Sequence, residues 1–295
     1  MGVKELPLVS IIAIAYNHEK YLIQTLDSVL NQDYPNIELI IIDSASKDRS
    51  VALIKDWVKD KKLSIQTVFQ NQPRSITQNA NEGLKLANGK YYQILSCDDN
   101  LEPQKITKQV EVFLSSDEKL AMVYCDAAKI DENGSFLSEP TFFQEKSWLY
   151  ESQLPSGSIF PLLLQDYFIV APTVLVDSEK VRSLGGYNEQ SMMEDLDIFL
   201  RLSQLYSFKG IHYKGVQYRI LQSSLLRSTS VNIRQANRLL LYSKFLGQKG
   251  EWDRFITHQF LLFKKESGYF YRLIYSLYRL LHSVLVKRIK STFKN

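Results

Sequence analysis

Apolar positions along the first 130 residues alternate between two textures. Val9 to Ala15 and Ile37 to Asp43 are short runs rich in Ile, with apolar side chains at successive positions, as strands buried on both faces carry them. Between these runs Tyr21, Leu22, Thr25, Leu26, Val29 and Leu30 recur at helical spacing. Ser50 to Lys59 is predicted helical and Leu63 to Phe69 extended. Ser75 to Ala87 is predicted to be a helix closed by Asn88-Gly89 as a left-handed cap. A strand from Tyr91, a helix opening at Pro103 and a strand at Ala121 to Cys125 complete a βαβ series. Such a series predicts an α/β fold with a mostly parallel sheet flanked by helices.

From Asp131 to Pro155 the pattern dissolves into a polar, aromatic-rich stretch, which predicts a loop or hairpin. Structure is expected to resume at Ile159 to Leu164, and Ile169 to Val176 is predicted to be a strand. Beyond Gln235 the chain reads as entirely helical. The organisation expected is a body of residues 1–235 and a helical, basic and aromatic C-terminal extension of residues 236–295.

Charge sharpens that division. Residues 236–295 hold 12 Lys and Arg against 3 Asp and Glu, a net of +9, which leaves 24 against 29 for residues 1–235, a net of −5. An acidic body lacks the electrostatic footprint of a nucleic-acid binder. In the extension, Leu273, Leu277, Leu280, Leu281, Val284 and Leu285 follow helical spacing among Arg272, Arg279, Lys287, Arg288, Lys290 and Lys294. Residues 268–295 therefore suit a basic amphipathic helix, either lying peripherally on an anionic membrane face or packed on the body with its basic side in water. No run approaches the roughly 18 to 20 apolar residues needed to span a bilayer. Val9 to Ala15 is followed by Tyr16-Asn17-His18-Glu19-Lys20 rather than a small-residue cleavage site, so it reads as the first strand and not as a secretory leader. Cys97 and Cys125 have no metal-type spacing and no disulfide framework, which fits a cytoplasmic setting.

The most informative chemistry is Tyr91 to Asn100, an apolar run that delivers Asp98 and Asp99 at its end. Strand ends at the rim of an open α/β sheet are where ligands bind, and hard cations such as Mg²⁺ or Mn²⁺ take carboxylate oxygens there and bridge to phosphates. By itself the pair also suits a solvated turn capping the next helix. The glycines narrow the field. After Gly2 the next is Gly83, so the turns after the first two strands cannot be the glycine-rich phosphate cradles of a dinucleotide-binding unit or a P-loop. If a nucleoside diphosphate binds here, a metal on Asp98 or Asp99 would meet its charge. The missing early glycine-rich loop also argues against a sugar-nucleotide pyrophosphorylase.

Several segments, in order and spacing, resemble the inverting glycosyltransferases of family 2, which have the GT-A fold. They are Val9 to Asn17 with the helix Tyr21 to Gln32, Ile37 to Asp48, Asn79 to Gly89 leading into Tyr91 to Asp99, Gly185-Gly186-Tyr187-Asn188-Glu189, and Glu194 to Arg201. The resemblance covers about residues 7 to 230. It implies a transferase of hexosyl or N-acetylhexosaminyl type in polysaccharide biosynthesis at the cell envelope. Such an enzyme moves a sugar from a nucleoside-diphosphate donor, a UDP-sugar first, to a hydroxyl of a saccharide or lipid-linked saccharide, with Mn²⁺ or Mg²⁺ as cofactor.

Carried residue by residue, the resemblance places Ala15, Tyr16 and Asn17 along the base pocket and has Asp43 hydrogen-bond the base. Ser96 and Asp98 fall on the donor site, Asp98 and Asp99 on the metal, and Asp195 is the general base. Glu194, Asp197, Arg201 and Arg219 are supporting or acceptor-side residues. Local readings stand beside these: Asp43 as a helix cap, Tyr16 as a packing aromatic, Asp195 as a charge favouring a helix N-terminus, and Arg201 as the partner of a carboxylate. Two positions depart from the family pattern. Ser96 stands where an acidic residue is usual, and Leu221 stands where many relatives carry a histidine after Tyr218-Arg219-Ile220. His212 lies in another segment and reads as a packed or exposed histidine, while Arg219 and Arg227 are left to complete a diphosphate site. These departures also keep open a catalytically silent relative that binds sugar nucleotide or glycan as an assembly partner.

Overall fold

A computed structural model of the chain describes residues 6–150, 153–221 and 231–245. In chain order the elements are β1 (Val9–Ala15), α1 (Leu22–Leu30), β2 (Ile37–Asp43), α2 (Ser50–Trp57), β3 (Ser64–Phe69), α3 (Ile76–Leu86), β4 (Tyr91–Ser96), β5 (Asn100–Leu101), α4 (Lys105–Leu114) and β6 (Leu120–Ile130). There follow α5 (Ser147–Tyr150), β7 (Ser156–Gly157), α6 (Phe160–Gln165), β8 (Val174–Asp177), α7 (Ser178–Ser183), α8 (Glu194–Ser203), β9 (Ser207–Arg219) and α9 (Val231–Ser243). Contacts group the chain into two compact units, one of Met1–Gln190 with Glu194–Leu221, the other of Ser191–Met193 with Gln222–Asn295. Helix α9 belongs to the second unit, and the predicted helix over residues 268–295 lies outside the described residues.

The first unit is a mixed α/β structure built on one sheet, in the order β3-β2-β1-β4-β8-β6-β9-β5, with β7 also paired to β9. β1, β2, β3 and β4 are mutually parallel, as their βαβ connections require. Every residue of β1 and β2 is buried, which is why their sequences run apolar at successive positions rather than alternating. β8 runs antiparallel between β4 and β6, and β5 and β7 antiparallel to β9, so the sheet is parallel in its first half and mixed in its second. Ala15, Asp43 and Ser96 consequently end neighbouring strands at one rim: Ala15 is in register with Asp43, and Ile14 with Ser96.

Three expectations need correction. Ile169 to Val176 is not a continuous strand: Ala171–Thr173 forms a 3₁₀ turn, and only Val174–Asp177 pairs in the sheet. Pro172 has no N–H to give to a ladder. The carbonyls this leaves are met by side chains instead, Pro172 O by Gln93 Nε2 at 3.0 Å and Thr173 O by Gln109 Nε2 at 2.8 Å. Lys105, fully buried, ties the two glutamines together through Gln93 Oε1 at 2.5 Å and Gln109 Oε1 at 2.7 Å, and burial lowers its ammonium pKa to about 8.

The second correction concerns Asn88-Gly89. Helix α3 does start on a Ser75–Gln78 capping box, but it ends at Ala87 in extended backbone, and Gly89 has no positive φ. The turn is pinned by the buried carboxylate of Glu38, which accepts from Asn88 N at 2.6 Å, Gly89 N at 3.1 Å and Ser10 Oγ at 2.6 Å. Glycine is required at 89 for space, since a Cβ there would lie 2.6 Å from Ser10 N and 2.7 Å from Tyr91 O. The third is small: helix α4 begins at Lys105, with Pro103 in the turn before it.

Candidate active site

The rim of the parallel half is built from two turns that lock each other. Asn17, at the end of β1, holds a left-handed φ of 57°, and Ala45, after β2, a φ of 59°. Both conformations cost energy for residues with a Cβ and persist because neighbours determine them. Asn17 N donates to Ser46 Oγ at 2.8 Å, and Asn17 Oδ1 accepts from Lys47 N at 2.8 Å. Glu19 N donates to Asp48 Oδ2 at 3.0 Å and Glu19 Oε2 accepts from Arg49 N at 2.8 Å, so four exchanges staple one turn to the other. Asp48 also accepts from Ser50 N at 2.9 Å, which makes it, and not Asp43, the carboxylate serving the start of α2.

Asp43 is buried at the base of this clasp. Its Oδ1 accepts from Ser46 N at 2.9 Å, while its Oδ2 is buried with no partner among the described residues. Asn79 Oδ1 is in the same condition, and Asn79 Nδ2 donates to Ser44 Oγ at 3.0 Å, so the second orphaned acceptor is anchored to the residue after Asp43. Ala15 is buried, and Tyr16 is 46% exposed, its ring free to cover whatever sits on the rim. An orphaned buried acceptor is costly unless a ligand supplies its donor.

At the end of β4 the two carboxylates behave differently. Asp98 Oδ1 is buried with no partner among the described residues. Asp99 is buried and accepts from Arg219 N at 2.8 Å, and burial together with the neighbouring Asp98 pushes its carboxyl well above the usual carboxylate range. Arg219 is buried too. Its guanidinium donates to Asp98 O at 2.8 Å, Asp131 O at 2.9 Å, Glu132 O at 3.1 Å and Gln24 Oε1 at 2.9 Å, and it stacks over Tyr21 at 4.7 Å. Four of its five N–H donors hold the Asp98–Asp99 turn, the start of the 131–150 segment and Gln24, so its first task is to brace the turn that carries Asp98.

Helix α8 brings the later carboxylates. Asp195 is partly buried, accepting from Leu196 N at 2.7 Å on Oδ1 and from the Tyr167 hydroxyl on Oδ2. Burial raises its pKa, and those two hydrogen bonds pull it partly back. Glu194, beside it, is pushed up to about 7 by burial and by the Asp195 charge. Asp197 faces the other way: it takes Arg201 Nε at 2.7 Å, and Arg201 also donates to Leu184 O at 3.0 Å and Gly186 O at 2.7 Å. That clamp anchors α8 to the Gly185-Gly186 turn, whose residues hold φ of 80° and 76°. Asn81 grips the same turn, donating to Tyr187 O at 2.9 Å and accepting from Tyr187 N at 2.8 Å.

Ser96, Glu194 and Asp195 border one cavity of about 90 Å³ that runs between the β4–β8 face of the sheet and helices α3 and α8. Strand register thus brings Ala15, Asp43 and Ser96 to one rim, with Asp98 just after β4, and of these Ser96 shares the cavity with Glu194 and Asp195. Asp99, Asp197, Arg201 and Arg219 support these residues from behind. His212 is exposed, Leu221 is buried, and Arg227 lies outside the described residues. Tyr167 escapes a reading of the sequence, because no local pattern marks its bond to Asp195, whereas Asn81, Tyr92 and Tyr187 lie in segments that carry the resemblance but show their partners only in the structure.

No group of three or more metal-binding side chains is clustered among the described residues. A divalent cation nonetheless fits, because hard cations at phosphate sites take one or two carboxylates and complete their shell with phosphate oxygens and water, and Asp98 offers an unspent oxygen.

The sequence model of glycosyl transferase family 2 matches residues 10–166. An uncharacterised glycosyltransferase of Rickettsia typhi is 29% identical over 276 residues, covering 89% of this chain and 81% of its own length. A mannosyltransferase of Pyrobaculum calidifontis, solved with GDP-Man and Mn²⁺, superposes with a TM-score of 0.62 at 14% identity over 99% of this chain and 87% of its own. Staphylococcus aureus TarS, solved in complex with UDP, gives 0.59 at 15% identity over 80% of this chain, which spans 65% of the TarS chain. Both structural likenesses are likenesses of fold.

Proposed function

Because the chain belongs to glycosyl transferase family 2 and has the GT-A fold, we propose that it moves a sugar from a uridine diphosphate donor to a hydroxyl of a saccharide or lipid-linked saccharide, inverting the anomeric centre. One observation carries the reading: two orphaned carboxylate oxygens, Asp43 Oδ2 and Asp98 Oδ1, lie at the ends of strands flanking β1, with Asp195 across the cavity from Ser96. Asp43 Oδ2 accepts a ring N–H of the base, giving directional recognition. Ala15, Tyr16 and Asn17 line the base, and the Ser96 hydroxyl meets the ribose. Asp98 would hold Mn²⁺ or Mg²⁺, which would supply positive charge to offset that of the diphosphate. That solved neighbours bind UDP, or GDP-Man with Mn²⁺, supports a nucleotide-sugar donor.

Asp195 takes the proton of the acceptor hydroxyl as that oxygen attacks the anomeric carbon and the nucleoside diphosphate leaves. Its raised pKa makes it a stronger base than a solvated aspartate, and its fixed oxygens hold it in one orientation. Single displacement from the face opposite the leaving group inverts the centre. The setting is the cytoplasmic side of the cell, and residues 268–295 contact an anionic membrane face. No helix among the described residues is long and apolar enough to cross a membrane.

Calorimetric titration of UDP, GDP, CDP and dTDP, each with and without Mn²⁺, against the wild type and Asp98→Ala tests the donor site. Manganese-dependent binding of UDP that is lost in Asp98→Ala is expected. Binding of no nucleotide to the folded protein would overturn the reading in favour of a silent glycan-binding relative. Asp195→Asn should lower transfer by about 10² to 10⁴ with donor binding retained, and full activity in that variant would remove Asp195 from its role.

A further inference from the structure

The cavity bordered by Ser96 and Asp195 continues inward as an apolar pocket. Ala80 of α3, Ile94 of β4, Val174 and Val176 of β8 and Phe199 of α8 wall it, and Tyr92 and Tyr187 line it as well. Packed interiors contain few voids larger than a water molecule, so a space of about 90 Å³ opening beside a reactive carboxylate marks a place for part of a ligand. Its size limits the guest. A cavity of about 150 Å³ accepts benzene with its six carbons, so about 90 Å³ accommodates about four heavy atoms.

Its polar equipment limits the guest further. The Tyr92 and Tyr187 hydroxyls, both buried, bond to each other at 2.8 Å. Two hydroxyls sharing one hydrogen bond consume one proton and leave one over. Apolar walls and the spare tyrosine donor complement a small group with a methyl and an acceptor. Glu194, bordering the same cavity, supplies an acceptor for an N–H. A hydroxymethyl would leave about half of the volume unfilled and a bare hydroxyl more, and a carboxylate would face Glu194 and Asp195 as a like charge.

We infer that this pocket receives an acetamido substituent carried by the donor sugar: the methyl lies against the apolar walls, the carbonyl accepts from the Tyr92–Tyr187 pair, and the amide N–H donates to Glu194. The assignment to the donor rather than the acceptor follows from Ser96, Ile94 and Tyr92, which line the pocket from the same strand that leads into Asp98. It rests on the donor reading above, and it separates an N-acetylhexosaminyl transferase from a hexosyl transferase.

The test uses two pairs of probes that differ within each pair only by the acetamido group: UDP-N-acetylglucosamine with UDP-glucose, and UDP-N-acetylgalactosamine with UDP-galactose. Each is titrated calorimetrically in Mn²⁺, with UDP alone as reference. The wild type should prefer the N-acetyl member of at least one pair by about tenfold or more, the discrimination that a filled pocket supplies. Ala80→Leu, which fills the pocket from α3, should bring that ratio to one or reverse it. The double variant Tyr92→Phe with Tyr187→Phe, which removes the spare proton and adds no volume, should reduce it several-fold. Equal affinity of the two members within both pairs, with UDP itself bound, would overturn the inference and leave the donor reading intact, as would a preference that both variants retain in full. Failure of UDP itself to bind would overturn the donor reading and this inference together.

Discussion

The hydroxyl of Tyr167 donates to the carboxylate of Asp195, a residue 28 positions further along the chain in the first turn of helix α8. Burial favours the protonated acid, and the tyrosine favours the carboxylate, so the phenol keeps a buried base usable. Removing it in Tyr167→Phe should raise the Asp195 pKa further. The acid limb of the pH profile of kcat/KM should move to higher pH, with the plateau at alkaline pH closer to wild type. An unmoved limb would show that Asp195 does not titrate in the profile.

Glu194 bears on stability with the opposite sign from most carboxylates. Its folded pKa of about 7 lies above the ordinary 4.5, so between those values the folded protein binds the extra proton. Stability from this residue is therefore present at low pH and lost as pH rises through about 7. Glu194→Gln should be more stable than wild type at pH 8 by on the order of 2 kcal/mol, with the gain vanishing near pH 4. Urea unfolding at the two pH values measures the difference.

Asp98 holds a buried oxygen with no partner among the described residues, a cost that a purely structural residue would not carry. Asp98→Ala should leave the metal-free protein as stable as wild type or slightly more so, while abolishing any rise in Tm on adding UDP with Mn²⁺. A loss of several degrees in the metal-free Tm would assign Asp98 to the scaffold instead.

Arg219 should respond in the other direction. Arg219→Lys keeps a charge but cannot reach the carbonyls of Asp98, Asp131 and Glu132 and the Gln24 amide together. A cost of about 3 kcal/mol in urea unfolding is expected, since buried acceptors lose their donors.

Gly89 and Gly185 separate two demands for glycine. A Cβ at 89 would lie 2.6 Å from Ser10 N, whereas a Cβ at 185 would meet nothing within 4 Å and suffer only from φ of 80°. Gly89→Ala should cost about 3 kcal/mol by overpacking backbone that cannot move, and Gly185→Ala about 1 kcal/mol of conformational strain. Thermal unfolding of the two variants gives the order.

The proposed membrane contact is tested by truncation. Deleting residues 268–295 should abolish binding to anionic vesicles at low salt, and unchanged binding would reject that role for the extension.

The alternation of strands and helices through Cys125 is legible in the sequence because each element is encoded by residues near one another: successive apolar positions for β1 and β2, helical spacing for α1, a capping box for α3. The same local logic brings Asp43 and Asp98 to strand ends. It fails where a distant side chain decides the matter. Pro172, with no N–H for the ladder, broke the expected strand, and Gln93 and Gln109 met the carbonyls of Pro172 and Thr173, while Glu38 supplied the turn at Gly89 that a left-handed cap was expected to make.

Residue order alone fixes which carboxylates arrive at the strand ends and at the start of α8, and in what succession. Which of them stay free depends on packing between distant segments. Arg219 reaches back 120 positions to take Asp99, while Asp98 Oδ1 keeps no partner among the described residues, and Arg201 takes Asp197 and leaves Asp195 to Tyr167. Adjacent carboxylates look alike in one dimension. Packing separates them, because the strands and helices around each one either bury a donor against it or leave its oxygen to a ligand.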